Sequence, residues 1–270
     1  MATLQYGDAL VLAKTEVNLY CASLDLRGVP VLVVGGGEVA LRKIESLLEA
    51  HARVTVIAPQ FHEALVALPA QGDGGARLRR TRRKFRATDL QNYKMIFAVT
   101  DDAELNQSIA RSARRLGALV NVATPGEAGN FQVPATVRRG ALSIAISTGG
   151  ASAELARSLR ERIEKVVGPE WGVFVALLME RRARVIAAIS DAAERRSVLK
   201  KLGATRWLNV IRKHGAERAG QEMDLLIDGS ARVAQASSLH GLMSATRRQD
   251  ACGTKTRRQD ASATLKKAGR

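Results

Sequence analysis

Residues 29–59 read VPVLVVGGGEVALRKIESLLEAHARVTVIAP, and this stretch decides the fold. An apolar, β-branched run at Val29–Val34 leads into three glycines, and a run with helical spacing of its apolar residues follows. A second short β-branched run, Val54–Ile57, closes the stretch. Short apolar runs of this kind predict buried strands, and the periodic stretch between them predicts a helix. The stretch therefore predicts a strand, a helix and a second, parallel strand.

The turn between the first strand and the helix has the pattern G-x-G-x-x-A, formed by Gly35, Gly37 and Ala40. The two glycines allow a tight turn and let backbone N–H groups approach a pyrophosphate, while a small third residue lets the helix pack close to the sheet. The pyrophosphate then lies at the N-terminus of the helix, where free N–H groups favour negative charge. The flanking strand and helix favour a dinucleotide site over a turn that only joins two elements.

The acidic residue that usually binds the ribose of NAD is missing from the second strand. That strand ends in Ile57-Ala58-Pro59-Gln60, which contains neither a carboxylate nor an arginine. The ribose must then be held by the backbone, by Gln60 or by Glu38 in the glycine loop. This rule alone leaves NAD and NADP open.

The composition is that of a globular protein. Of the 270 residues, 46% are hydrophobic, and no apolar run reaches the roughly eighteen residues of a membrane span. The first residues lack the pattern of a signal peptide, which predicts a cytoplasmic protein. The two cysteines and four histidines show no ligand spacing, so we expect neither a disulfide nor a bound metal.

The formal net charge of +16 comes largely from two stretches, Arg77–Arg86 and residues 231–270. Neither alternates with aromatic residues, which make up only 4% of the chain, so we do not expect a nucleic-acid partner. A polyanionic small substrate explains a basic surface equally well. In the second stretch, Arg247–Thr256 is nearly repeated as Arg257–Lys266, without an apolar face. This repeat predicts a disordered basic tail.

The alternation of strands and helices continues beyond the opening unit. The patterns predict a short helix over 61–68, a loop over 71–75, an edge strand over 78–85, buried strands over 94–99 and 119–122, and a helix over 103–116 capped by Asp101 or Asp102. Ligands of an open parallel sheet bind beyond the carboxyl ends of its strands. We therefore expect one crevice lined by Gly35–Val39, Pro59–Gln60, Thr100–Asp102 and Asn121–Thr124.

A different pattern begins at residue 129. The runs 129–137 and 142–147 predict a β-hairpin, and Ser152 is placed to cap a helix over 153–167. Residues 171–216 carry further helical periodicity, and 223–227 predict a last turn of structure.

Together these pieces resemble the precorrin-2 dehydrogenase/sirohydrochlorin ferrochelatase family, which forms the N-terminal module of siroheme synthase. The resemblance covers roughly residues 19–215. It is carried by motifs in the family's order and spacing: VLVVGGGEVALR (31–42), ARVTVIAP (52–59), AVTDDAELN (98–106), VNV (120–122), GNFQVPATVRRG (129–140) and LSIAISTGGASAELARSLRERIE (142–164).

The resemblance implies an α/β enzyme that uses NAD to take two hydrogens from precorrin-2, giving sirohydrochlorin. Many members also insert Fe²⁺ to make siroheme. It implies a Rossmann-like parallel-sheet domain (19–128), a homodimerisation and substrate region with a β-hairpin and helix (129–168) and a small helical domain (169–230), between an N-terminal extension (1–18) and the tail (231–270).

The predicted site has two parts. The motif, the crevice and the resemblance together predict these NAD contacts: Gly35, Gly36, Gly37, Glu38, Val39, Pro59, Gln60, Thr100, Asp101, Asn121 and Val122. The resemblance implies that a polycarboxylate tetrapyrrole is bound by Thr148, Gly149, Gly150, Ser152, Arg157 and Arg160. Arginine forks and a glycine-rich helix N-terminus suit the carboxylates of such a substrate.

Two positions depart from the bifunctional members of the family. Their aspartate after the Asn-Val-x strand end is replaced by Thr124, and their serine before the Gly-Gly turn by Thr148. A threonine hydroxyl can neither act as a general base near neutral pH nor hold Fe²⁺ as a carboxylate would. Hydride transfer depends chiefly on placing the nicotinamide against the substrate carbon, so we expect dehydrogenation without metal insertion.

Glu127 is an alternative source of a carboxylate, and we predict Thr124 and Glu127 as the catalytic positions. Three other readings stay open. One is a bifunctional enzyme that retains ferrochelatase activity through Glu127. The second is a non-catalytic dinucleotide-sensing module, against which the hairpin and the STGG turn count. The third is a nucleic-acid-binding protein driven by the basic tail, residues 231–270.

Overall fold

The predicted strand–helix–strand unit forms the centre of a five-stranded sheet. A computed structural model describes residues 19–72, 75–123 and 129–233. Contacts divide the chain into two compact units: the first holds residues up to Pro134 together with Ser147–Ala153, and the second holds Ala135–Ile146 and the chain from Glu154 onward.

The first unit alternates strands and helices. Its elements are β1 (Pro30–Val34), α1 (Glu38–Glu49), β2 (Arg53–Ala58), α2 (Glu63–Ala67), β3 (Gln71–Gly72), β4 (Gly75–Ala76), β5 (Leu78–Arg82), a 3₁₀ turn (Ala87–Leu90), β6 (Met95–Ala98), α3 (Ala103–Arg115) and β7 (Leu119–Val122). The sheet order is β5-β2-β1-β6-β7, and every pairing is parallel. This order confirms the predicted Rossmann-like fold, with β1 at the point where the winding reverses.

The sheet has a core on each face, as strands buried on both sides require. On one face Val31 and Val33 pack with Ile44 of α1 in one apolar cluster. On the other face Leu32 packs with Ile109 of α3 in a second cluster. All five of these side chains are fully buried, and the successive residues Val31–Val34 of β1 contribute alternately to the two cores.

The region between β2 and β6 differs in one detail from the sequence prediction. Residues 71–75 were predicted as a loop because of their glycines, but Gln71–Gly72 pairs with Gly75–Ala76 in a two-residue antiparallel ribbon. The predicted edge strand is present as β5, beside β2. Its Arg80 donates hydrogen bonds to the carbonyls of Leu65 and Leu68 at the end of α2, so that arginine is a structural side chain.

A charge pair follows β5. Arg83 donates two hydrogen bonds, of 2.7 and 2.6 Å, to the carboxylate of Asp89. The backbone N–H of Arg86 donates a third to the same carboxylate at 2.8 Å. These hydrogen bonds, above all those from Arg83, hold the pKa of Asp89 below its usual value.

The predicted hairpin begins later than its sequence pattern suggests, because residues 129–134 do not form a strand. Asn130 instead completes the outer edge of β7: its N–H donates to Val120 O at 3.0 Å, and its Oδ1 accepts from Val120 N at 2.6 Å. Its Nδ2 donates to Ala118 O at 3.0 Å. The ring of Phe131 packs edge-on against Phe97 of β6, with the centroids 5.4 Å apart. The GNF motif is therefore explained by packing against the sheet.

The second unit contains a hairpin and four helices in the described part of the chain. Its elements are β8 (Ala135–Arg139), β9 (Leu142–Ile146), α4 (Ala153–Val166), α5 (Glu170–Ala188), α6 (Ala192–Leu202) and α7 (206–233). The last turn of structure predicted at 223–227 is part of α7, which is longer than the sequence pattern indicated. Ala219, Met223 and Ile227 recur at helical spacing and are all buried in one cluster.

A charge network joins α5 to α7. Arg181, with only 11% of its side chain exposed, lies 3.2 Å from the carboxylate of Asp224. Arg184 contacts Asp224 at 2.5 Å and Asp228 at 3.2 Å, but its side chain is 48% exposed. Among the residues described, no helix has both the length and the hydropathy needed to cross a membrane.

Candidate functional site

A cavity of about 720 Å³ opens at the carboxyl ends of the strands in the first unit. Most of the predicted crevice lines this cavity, whereas Glu38, Val39, Asn121 and Val122 do not. The lining residues are Val34, Gly35, Gly36, Gly37, Ile57, Ala58, Pro59, Gln60, Phe61, His62, Lys84, Phe85, Val99, Thr100, Asp101, Asp102 and Leu105.

The three glycines differ in what surrounds them. Gly35 has φ +128°, and a Cβ there would lie 2.3 Å from the Val99 carbonyl oxygen. A Cβ at Gly36 would lie 2.1 Å from the Gln60 carbonyl oxygen. At Gly37 a Cβ would meet no atom within 4 Å. The first two glycines are thus required by the protein itself, while the third faces open space, as expected where a pyrophosphate approaches the backbone.

Of the three α-helices that the structure describes in the first unit, α1 alone has no side-chain cap at its N-terminus. Gly37 is its N-cap and offers no side chain. By contrast, His62 caps α2 by accepting from Ala64 N at 3.2 Å, and Asp102 caps α3 by accepting from Leu105 N at 2.9 Å. The first N–H groups of a helix have no partner inside the helix. Those of α1 are therefore available to an anion, and the loop fits a dinucleotide pyrophosphate.

Glu38 does not point its charge into this cavity. Its carboxylate lies 3.6 Å from the Arg42 guanidinium, and both side chains are about 70% exposed (71% and 67%). An exposed pair of this kind contributes little stability. Val39 is likewise exposed, so both residues lie beside the cavity lining.

The loop after β6 is fixed by a buried asparagine that sequence reasoning did not single out. Asn106 is fully buried. Its Oδ1 accepts from Thr100 N at 3.1 Å and from Thr100 Oγ1 at 2.8 Å, and its Nδ2 donates to Thr100 O at 2.8 Å. Three hydrogen bonds to one residue hold the loop at the cavity. Next to Thr100, Asp101 is exposed and lines the cavity.

The opposite side of the cavity contains residues that the sequence prediction missed. Phe61 and His62 follow β2, and Lys84 and Phe85 follow β5. Lys84 and Phe85 reach the cavity because β5 lies beside β2 in the sheet. The linear pattern of charged residues does not reveal that strand pairing.

The β7 side of the predicted site is only partly described. Asn121 is buried; its Nδ2 donates to Phe131 O at 3.2 Å, and its Oδ1 has no hydrogen-bond partner among the described residues. Thr124 and Glu127, the predicted catalytic positions, lie outside the described residues. Their roles stay predictions. Within the described part of the chain, no cluster of His, Cys, Asp and Glu is suited to a metal ion.

The predicted substrate turn is a compact loop in the first unit. Thr148 Oγ1 accepts from Ser152 N at 3.1 Å and donates to Ser152 O at 3.0 Å. Gly149 and Gly150 have backbone φ angles of +64° and +88°. Residues with a side chain rarely adopt such angles. Thr148 thus closes the turn, a role that serine can also fill. Whether Ser152 caps α4 stays a prediction.

The predicted substrate arginines belong to the second unit, where each has a partner one helical turn away. Arg157 lies 3.1 Å from Glu161, and Arg160 lies 3.1 Å from Glu164. Pairs at this spacing are weak and solvent-accessible. Replacing either partner by a ligand carboxylate would therefore cost little.

Two protein-family models match this chain. Residues 22–135 match a family described as putative NAD(P)-binding, and residues 139–165 match one described as sirohaem biosynthesis protein central. The chain therefore combines an NAD(P)-binding part with a part that is similar to sirohaem biosynthesis proteins. The matches confirm the predicted family and the predicted NAD-type cofactor, and together they include the glycine loop and most of α4.

Similar proteins agree with this family. A siroheme synthase from Methylococcus capsulatus is 44% identical over 174 residues, 64% of this chain and 36% of that protein. One from Gluconacetobacter diazotrophicus is 39% identical over 189 residues, 68% of this chain and 39% of that protein. The chain thus spans well under half the length of these relatives. The solved structure of SirC, a precorrin-2 dehydrogenase, has a TM-score of 0.63 and 29% identity, with coverage of 76% of this chain and 99% of that one.

Proposed function

We propose that this protein is an NAD-dependent precorrin-2 dehydrogenase, which removes two hydrogens from the macrocycle and gives sirohydrochlorin in siroheme biosynthesis. The observation that carries the proposal is the N-terminus of α1 at Gly37. It has no side-chain cap, and no protein atom lies within 4 Å of the position that a Cβ would take there. The solved relative of similar fold is itself a precorrin-2 dehydrogenase. That chain is matched over 99% of its length, so the likeness extends beyond a shared dinucleotide fold.

The residues of the first unit divide the binding of the cofactor between them. The N–H groups at Gly37 and the start of α1 bind the pyrophosphate. In a sheet wound in this order the two halves of a dinucleotide lie on either side of the first strand. The adenosine half then lies over β2 and β5, and the nicotinamide half over β6 and β7. Bound NAD supplies the hydride acceptor.

The β6 side of the cavity is built to be rigid. Asn106 fixes Thr100 through three hydrogen bonds, so the loop that faces the nicotinamide half keeps one position. Asp101 places a carboxylate on this side that has no partner among the described residues. A carboxylate here accepts the proton that leaves the macrocycle when the hydride goes to the cofactor. Glu127 is the second carboxylate proposed for that role.

The second unit supplies the proposed substrate and dimer surfaces. Arg157 and Arg160 of α4 bind carboxylates of the tetrapyrrole. The described residues cover the apolar stripe of α4 only in part: Ala156 is the helix's one buried residue, and Val166 is 73% exposed. We propose that a second copy of the chain covers this stripe and the hairpin to form a homodimer.

The test is turnover of precorrin-2 with NAD, followed by the absorbance of sirohydrochlorin and of NADH. The proposal predicts one NADH for each sirohydrochlorin. Folded protein that binds NAD without any turnover would instead support a dinucleotide-sensing module.

The bifunctional reading needs a separate assay. Sirohydrochlorin and Fe²⁺ are supplied as substrates, and metal insertion is compared with the uncatalysed rate. With Thr124 in place of an aspartate, we propose that insertion does not exceed that rate. Thr124→Asp is the matched variant, and a gain of insertion in it alone would assign the loss to this position.

A further inference from the structure

A second cavity, of about 620 Å³, lies on one face of the sheet in the first unit. On that face α3 packs against β6 and β7. The connection from β5 to β6 contains a 3₁₀ turn, Ala87–Leu90, in place of a longer helix. This short turn leaves room for the cavity beside β2 and β5, and we call this space the sheet-face cavity.

The two strands direct polar side chains into the sheet-face cavity. Thr55 of β2 pairs with Arg79 of β5. Two residues further on, Ile57 pairs with Thr81. Alternate residues of a strand share one face of a sheet, and all four of these residues line the cavity. Ile57 also belongs to the apolar core of this face, so core side chains give way to hydroxyl and guanidinium groups from β2 outward to β5.

Three arginines line the sheet-face cavity, and they differ in their partners. Arg83 is engaged by Asp89, the one acidic side chain of the lining. Arg53 donates from Nε to Gly28 O at 2.8 Å, which fixes the side chain but leaves its charge without a counterion. Arg79 is exposed and has neither a hydrogen bond nor an ion pair within the part of the chain that the structure describes. The lining therefore has a surplus of positive charge at two arginines.

The two arginines without a counterion lie close together. Arg79 pairs with Thr55, which is two residues along β2 from Arg53. With strands about 4.8 Å apart and a rise of about 3.3 Å per residue, the Cα atoms of the two arginines are about 8 Å apart. Like charges at such a distance repel each other. A ligand with two negative charges between them would replace that repulsion by attraction.

We propose that the sheet-face cavity is a second ligand site, which binds a small molecule with two negative charges of the phosphate or carboxylate type. Arg79 and the terminal nitrogens of Arg53 bind the anionic groups through charge-assisted hydrogen bonds. Thr55 lies beside both arginines on this face, and its hydroxyl is free to donate to the ligand among the described residues. The site is separate from the cavity at the carboxyl ends of the strands, because the two linings share Ile57 and no charged residue.

Calorimetry on the full chain tests the site with two probes, inorganic pyrophosphate and succinate. Each is titrated without NAD and again with NAD in excess, which occupies the other cavity. We expect a saturable site for at least one probe, and a Kd about tenfold larger in Arg79→Gln, as for the loss of one charge-assisted hydrogen bond. Arg111→Gln is the matched control, because Arg111 is an exposed arginine of α3 that lines neither cavity. Thermal unfolding checks that both variants are folded.

Binding of pyrophosphate alone would support a phosphate ligand, and binding of succinate alone a carboxylate ligand. The inference is overturned if neither probe binds, or if excess NAD abolishes the binding. An equal loss in Arg111→Gln also overturns it, because that result would reflect a general attraction to a basic protein. If Arg79→Gln binds normally but scatters more light, the inference is wrong and Arg79 protects the edge of the sheet instead. None of these results bears on the dehydrogenase proposal, which turnover tests.

Discussion

Replacing Gly37 by alanine tests where the pyrophosphate lies. The backbone of Gly37 has φ −85° and ψ −169°, which alanine adopts without strain. A Cβ there meets no protein atom within 4 Å. Alanine is a poorer N-cap than glycine by roughly 0.5–1 kcal/mol, and the lower entropy of the unfolded chain returns about 0.4–1 kcal/mol. The free energy of unfolding should therefore change by no more than about 0.5 kcal/mol.

The same methyl group occupies space that the pyrophosphate needs. If it displaces the ligand from one N–H of α1, about 1.5–3 kcal/mol of charge-assisted hydrogen bonding is lost. This corresponds to a roughly 10- to 100-fold increase in the Kd of the dinucleotide. Calorimetry measures the Kd, and thermal unfolding followed by circular dichroism measures stability.

Two further variants serve as controls. Gly36→Ala brings a methyl group to 2.1 Å from the Gln60 carbonyl, and such overpacking costs about 1–3 kcal/mol, so this variant should unfold at a clearly lower temperature. Gly229→Ala also meets open space, but in α7, and should leave the Kd unchanged. An unchanged Kd in Gly37→Ala would refute the placement of the pyrophosphate. If Gly37→Ala lost as much stability as Gly36→Ala, the conclusion that Gly37 has room for a Cβ would be wrong.

Three other outcomes are expected. Asn106→Ala should destabilise the protein by about 2 kcal/mol, because a buried asparagine's hydrogen bonds are lost, and should raise the Kd of the dinucleotide; calorimetry that finds the Kd unchanged would show that the loop does not need it. Asp89→Asn should cost about 1 kcal/mol at pH 7 in urea unfolding. The native pKa of Asp89 lies below its unfolded value, so this contribution is complete above the unfolded pKa of about 4 and disappears as pH falls through the native pKa; a stability difference that does not decrease as the pH is lowered below about 4 would contradict it. Asp224→Ala should cost about 2 kcal/mol, because it leaves the buried Arg181 without its partner on α7, whereas Asp228→Ala should cost under about 0.5 kcal/mol; tryptophan fluorescence compares the two, and equal losses would refute the role of burial.

The strands and helices around the glycine loop were predictable because their apolar periodicity is unbroken. Every residue of Val31–Val34 is buried, and Asp102 caps α3 as its position after a strand indicates. The function of Asn106 was not predictable from the same pattern, since a polar residue inside a helix gives no sign of which loop it contacts. Its importance follows from complete burial, which only the packed structure shows.

The adenosine side of the site escaped prediction for a different reason. The end of β2 has no charged residue from which the ribose contacts could be predicted. Lys84 is distant in sequence from the glycine loop. Only the pairing of β5 with β2 brings it to the cavity. Likewise, residues 129–134 have the composition of a strand, but Asn130 already satisfies the edge of β7 with its backbone and side chain. Such contacts are tertiary and leave no periodic signal.

Asn130 has a further consequence, because it blocks edge-to-edge pairing of the sheet through β7. An uncovered strand at a sheet border is a template for recruiting other chains, and here the outward N–H and C=O of Val120 are both occupied by a single residue. A fragment that stops before Gly129 would lose that cover while keeping every strand of the sheet. We expect such a fragment to pair through the exposed edge of β7 more readily than the full chain does, which light scattering would measure.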